Sequence, residues 1–172
     1  VVMFDSGYVQ GYQPTMIPFG ASYIVPAKSP IRVSPHLQST GKAETVKLRI
    51  AYYFDKSNNP IELTYCGSNT RKIDIPPYEQ NHTITTRVKT LEDMRVIQVG
   101  AHMHDRGKSV YYSATLPDGS EKVLLSVPYF DRKWQREYLT QEPIFVPKGS
   151  ILNCRGIYDN SHKNPRVRTP HK

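Results

Sequence analysis

The chain has 172 residues, 38% of them hydrophobic and 22% charged, and a formal net charge of +8 from 23 basic against 15 acidic residues. That length buries one good core or two small ones, and no apolar run approaches the ~20 residues of a membrane-spanning helix. The cations are scattered, with a mild cluster only over residues 162–172, and no helix-turn-helix, zinc-finger or aromatic RNA-binding signature accompanies them. No nucleic-acid partner is therefore expected. An acidic protein partner, a lipid headgroup surface or solubility alone accounts for the charge.

The chain starts on Val1-Val2 rather than on a methionine and shows no signal peptide, as a mature, processed or partial polypeptide would. Residues 46–54 alternate apolar and polar side chains before a wholly apolar end, which predicts a strand with one buried face. Residues 55–60 read as a loop and 75–81 as a second break, so the expected domain seam lies between about 55 and 75. Strands are predicted over 82–88 and 94–99, the second leading into His102-Met103-His104. Residues 111–116 and 121–127 flank Pro117-Asp118-Gly119-Ser120, whose order is that of a tight turn, and form the clearest hairpin. Two further strands, 143–147 and 150–158, surround a turn at Lys148-Gly149. Fourteen prolines and ten glycines punctuate these segments, and helical spacing of apolar residues nowhere persists for three turns. The expected class is all-β, an antiparallel jelly roll or β-sandwich. Residues 61–172 are expected to make one complete domain. Residues 1–60 are expected to be the end of a first β-sandwich domain or a β-rich extension.

His102-Met103-His104 is the candidate site. Along an extended segment, side chains at i and i+2 leave the same face, so both imidazoles can approach one ion while Met103 points the other way. Imidazole suits copper, zinc, iron or nickel; the bland alternative is two polar residues on a solvent face. Asp105 and Arg106 either orient a ligand imidazole or form a surface pair. His162 and His171 read as loop histidines, with His162 reaching the metal edge if residues 159–161 fold back. Trp134, Tyr129, Phe130 and Tyr138 are expected in the core, the other reading being an aromatic substrate wall. Cys66 and Cys154 either pair or remain free thiols, and Asn81-His82-Thr83 matches a glycosylation acceptor. No phosphate loop, Ser-His-Asp order or glycosidase-type carboxylate pair is present, and no catalytic residue is assigned.

Several spaced motifs share an order. They are Ile73-Asp74-Ile75-Pro76-Pro77, Gly100-Ala101-His102-Met103-His104-Asp105-Arg106-Gly107-Lys108-Ser109, Pro117-Asp118-Gly119, Trp134-Gln135, Tyr138, Pro147-Lys148-Gly149-Ser150 and Tyr158-Asp159-Asn160-Ser161-His162-Lys163-Asn164-Pro165. In this order the chain resembles bacterial proteins similar to the copper type II, ascorbate-dependent monooxygenases, such as the peptidylglycine alpha-hydroxylating and dopamine beta-monooxygenases. The resemblance runs from about Pro14 onward and is most specific between His102 and Pro165. It implies two jelly-roll-like domains, each holding copper, with His102 and His104 as the paired ligands of one. His36 would serve the other copper, although Leu37 stands where the family has an aromatic residue.

The family's adjacent histidines would precede Val1, and its methionine ligand would follow Lys172. Two imidazoles and a thioether would favour Cu(I). Two functions follow from the resemblance. One is an exported, periplasmic or extracellular copper monooxygenase-like protein, using an ascorbate-type reductant on an unknown small molecule, with reduced or no activity in this chain. The other is a non-catalytic accessory subunit of a larger exported or membrane-associated electron-transfer complex.

Overall fold

A computed structural model describes residues 16–35, 37, 39–67, 70 and 73–167. Two compact units divide the described chain, one of residues Met16–Tyr65 and the other of the residues from Cys66 onward. No helix among the described residues is long and apolar enough to cross a membrane.

The first unit holds two short strands, β1 (Ala21–Ser22) and β2 (Ile61–Glu62), paired in parallel. Asp55 accepts a hydrogen bond from the Ser22 hydroxyl at 2.7 Å and another from the Ser57 N–H. These bonds, the Ser22 one foremost, hold its carboxyl below the usual aspartate value. The strand expected over 46–54 is not formed, and Tyr53 and Phe54 are exposed. Alternation marks a face that wants covering, but an extended segment becomes a strand only when a neighbour takes up its N–H and C=O groups.

The second unit is all-β, antiparallel and sandwich-like. Its strands are β3 (His82–Lys89), β4 (Met94–Gly100), β5 (Gly107–Thr115), β6 (Glu121–Val127), β7 (Glu137–Val146) and β8 (Ile151–Tyr158). One sheet has the order β3-β8-β5-β6 and the other is the pair β4-β7. In β3, His82, Ile84, Thr86 and Val88 are half-buried while Thr83, Thr85, Arg87 and Lys89 face solvent, as period-two alternation demands.

The β5–β6 hairpin closes through Gly119 at φ +84°, a left-handed conformation that glycine adopts without strain. Asp118 accepts from the Ser120 hydroxyl and N–H at 2.6 and 2.9 Å, and its carboxyl is lowered in consequence.

Strand β7 begins six residues earlier than the strand predicted from Pro143. Val96 pairs with Ile144 and Gln98 with Leu139, so residues 140–143 bulge out against Ile97 alone. A bulge is one of the few places where a sheet accepts proline, which is why Pro143 lies inside the strand rather than at its start. The core gathers Met103, Val110 and Phe130, with Ala101, Tyr112, Val127, Cys154 and Tyr158 packed around them. Cys66 and Cys154 are both free, the first exposed and the second half-buried. Burial pushes the Cys154 thiol above its ordinary pKa, against hydrogen bonds to Tyr112 and Thr86 that pull it down.

Candidate metal centre

Met103 organises the site. It is 5% exposed and packs against the core face of the four-stranded sheet, where β5 and β8 each present a glycine. A Cβ at Gly107 would lie 2.6 Å from Met103 Cβ and 3.1 Å from the His104 carbonyl; one at Gly156 would lie 3.4 Å from Met103 Cε. The two glycines therefore form the seat that lets the thioether side chain lie flat on the sheet. With Met103 turned inward, its neighbours at i−1 and i+1 turn outward, and His102 and His104 are both exposed just beyond the end of β4.

Their rings converge. His102 Nε2 and His104 Nε2 stand 3.3 Å apart, with ring centroids 5.1 Å apart and planes crossing at 86°. Two nitrogens bound to one tetrahedral ion at about 2.05 Å would be separated by roughly 3.3 Å, so the pair presents one edge of such a coordination shell. The same separation also suits one imidazole N–H donating to the other ring, the tautomer deciding which nitrogen is the donor. Among the described residues, no group of three or more His, Cys, Asp or Glu side chains is placed to share an ion.

The turn after the pair is held from several sides. Gly107 N–H donates to the His104 carbonyl at 2.8 Å. Asn164 Nδ2 donates to the carbonyls of Asp105 and Asp159, at 3.1 and 2.9 Å, and the Arg166 guanidinium donates to those of Gly107 and Phe130, at 2.8 and 3.1 Å. Arg106 Nε donates to Asn160 Oδ1 at 2.7 Å, and the Asp159 N–H to the Arg106 carbonyl at 2.8 Å. Asn160 is only 1% exposed and its Nδ2 reaches the carbonyls of Ile75 and Pro76. The Tyr158–Pro165 motif thus straps the back of the histidine turn. A sequence signal for this existed in its Asp, Asn and Ser residues, whose side chains bond nearby backbone: Asp159 Oδ1 accepts from the N–H and hydroxyl of Ser161.

His36 and His171 lie outside the described residues. His162 stacks on Tyr78, with centroids 5.1 Å apart, and Tyr78 itself sits at φ +64°, a strained conformation for a residue with a Cβ. The Asp105 carboxylate pairs with Arg132 at 3.1 Å, both side chains being well exposed. Of the aromatic group expected in the core, Phe130 is buried, whereas Tyr129 is 90% exposed, Trp134 54% exposed and Tyr138 also open to solvent. They lie on the β6–β7 connection and the start of β7, outside the sheet interior, and Trp134 has the Arg136 guanidinium against its ring, 3.9 Å from the centroid. No protein-family model matches this chain, and no curated protein matches it either.

Proposed function

We propose that this chain is a copper-binding β-sandwich protein of the monooxygenase-like type, in which His102 and His104 are two of the ligands of one copper ion. The observation that supports it is the 3.3 Å convergence of two exposed Nε2 atoms, opposite a methionine locked into the core. Bound there, copper would supply one-electron chemistry with dioxygen. The chain's own part is mechanical and electrostatic: Met103 in its glycine seat fixes which way the segment faces, and the strap of Asn160, Asn164 and Arg166 fixes the turn that carries His104. The reading carries with it an exported protein working with a reductant and a small-molecule substrate.

A second reading is a non-catalytic accessory subunit of a larger exported or membrane-associated assembly, for which two imidazoles alone, a weak and unselective set, would be enough. Calorimetric titration with Cu(I) and Cu(II) tests the binding itself. One copper per chain is expected, with His102→Ala and His104→Ala each weakening it at least about tenfold, roughly 1.4 kcal/mol. A His102→Ala/His104→Ala double variant that binds as tightly as the unaltered protein defeats the proposal. Ascorbate-driven oxygen uptake by the copper-loaded protein then separates the two readings, its presence favouring the enzyme.

A further inference from the structure

The connection between β6 and β7 is tied to both ends of the His-Met-His segment. Glu137 pairs across the sheet with Gly100, just before the histidines, and Arg132 bridges to Asp105, just after them. Inside this connection two adjacent residues leave buried polar atoms unserved. Arg136 has its guanidinium on the Trp134 ring and a buried Nε without a hydrogen-bond partner; Gln135, 8% exposed, donates Nε2 to the Arg132 carbonyl at 2.9 Å and leaves Oε1 buried without one.

The nearby carboxylates are committed elsewhere. Asp105 is on Arg132, Asp131 accepts the Lys133 N–H, and Glu137 accepts from the Gln98 amide. Among the described residues the one salt bridge is that of Arg132 with Asp105, so Arg136 has no ion-pair partner there. A desolvated guanidinium N–H without an acceptor is unfavourable, and such a group in a folded chain calls for an explanation.

We propose that Arg136, stacked on Trp134, forms a binding site for an oxyanion, the carboxylate, sulfate or phosphate group of a ligand, beside the histidine pair. With one face of the guanidinium covered by indole and Nε buried, the two terminal nitrogens remain to direct their N–H groups in the plane, where paired oxygens fit them. The exposed Lys133 adds positive potential on the same loop, and the part of the indole left open can meet an apolar ligand body. The site stands whether or not copper binds.

Trp134 is the single tryptophan of the chain, so its indole N–H gives one resonance in a proton–nitrogen NMR spectrum. Chelator-treated, metal-free protein is titrated with acetate, benzoate, sulfate and phosphate against chloride at constant ionic strength. At least one of the four is expected to shift the indole and Arg136 Nε–H resonances saturably, with 1:1 stoichiometry. Arg136→Met is expected to weaken that response at least tenfold, while Arg87→Gln, which removes the same charge from the solvent face of β3, leaves it unchanged. A tighter response to benzoate than to acetate marks use of the indole face. The proposal is overturned if none of the four anions gives a saturable shift, if Arg136→Met responds like the unaltered protein, or if Arg87→Gln weakens the response equally. Should Arg136→Met not fold, Arg136→Lys keeps the charge and loses the planar fork; it is expected to bind more weakly, and unchanged binding overturns the proposal. Because no metal is present, failure here leaves the copper reading untouched.

Discussion

Gly107→Ala is expected to destabilise the second unit by about 3 kcal/mol, at the upper end of what overpacking costs. The added methyl group would stand 2.6 Å from Met103 Cβ and 3.1 Å from the His104 carbonyl. Neither of these is the yielding end of a flexible side chain. The segment has to lift off the sheet, which frees Met103 from its seat and releases both histidines from their shared direction.

Met103→Ala tests the other half of the contact, and emptying this core position is expected to cost about 2–5 kcal/mol. Gly156→Ala is a graded comparison. Its nearest contacts are the Tyr158 ring edge at 3.1 Å and, at 3.4 Å, the Tyr158 hydroxyl and the terminal methyl of Met103, all far ends of side chains, so the loss should be the smaller of the two glycine variants. Urea denaturation of the metal-free proteins reads all three. A Gly107→Ala protein as stable as the unaltered chain would show that Met103 is not seated as described.

Asn160→Ala is expected to cost about 3 kcal/mol, because it strips three partners at once. Arg106 Nε loses its acceptor at 2.7 Å, the Ile75 carbonyl loses the Asn160 amide as donor, and the Pro76 carbonyl is left with the Glu79 N–H at 3.4 Å. The effect should be local as well as global. Tyr78, in its left-handed conformation, lies in the turn that Asn160 holds through the Ile75 and Pro76 carbonyls and, by its own N–H, the Glu79 carbonyl. Amide hydrogen exchange over residues 75–81 and 105–107 is therefore expected to accelerate beyond that of β3 and β8. Uniform acceleration across the unit, or none, would contradict the strap.

The parts of the fold legible in the sequence were those written in local periodicity and turn chemistry. The alternation in β3, the Pro117-Asp118-Gly119-Ser120 hairpin and the strand ending at Tyr158 all depend on neighbours a few residues away. The convergence of His102 and His104 was legible for the same reason, since it follows from the two-residue repeat of an extended chain.

What was not legible depends on distant residues. Gly107 and Gly156 act as a pair only because β5 and β8 are neighbours, and nothing near either glycine announces it. Residues 46–54 carry a strand pattern, but a strand also needs a partner that only the tertiary structure supplies. Pro143 looked like a boundary because a bulge against Ile97 is invisible from one strand alone. Trp134 looked like core because tryptophan usually is, whereas here a connecting loop holds it at the surface with Arg136 over its ring.

X-ray absorption spectroscopy at the copper edge, on protein loaded with one equivalent of Cu(I), tests the central claim most directly. The account predicts imidazole scattering from two histidines at about 2.0 Å, falling to one in either His102→Ala or His104→Ala. Copper with no imidazole signal, or the same spectrum from the double variant, would mean that the two facing nitrogens bond to each other rather than to a metal.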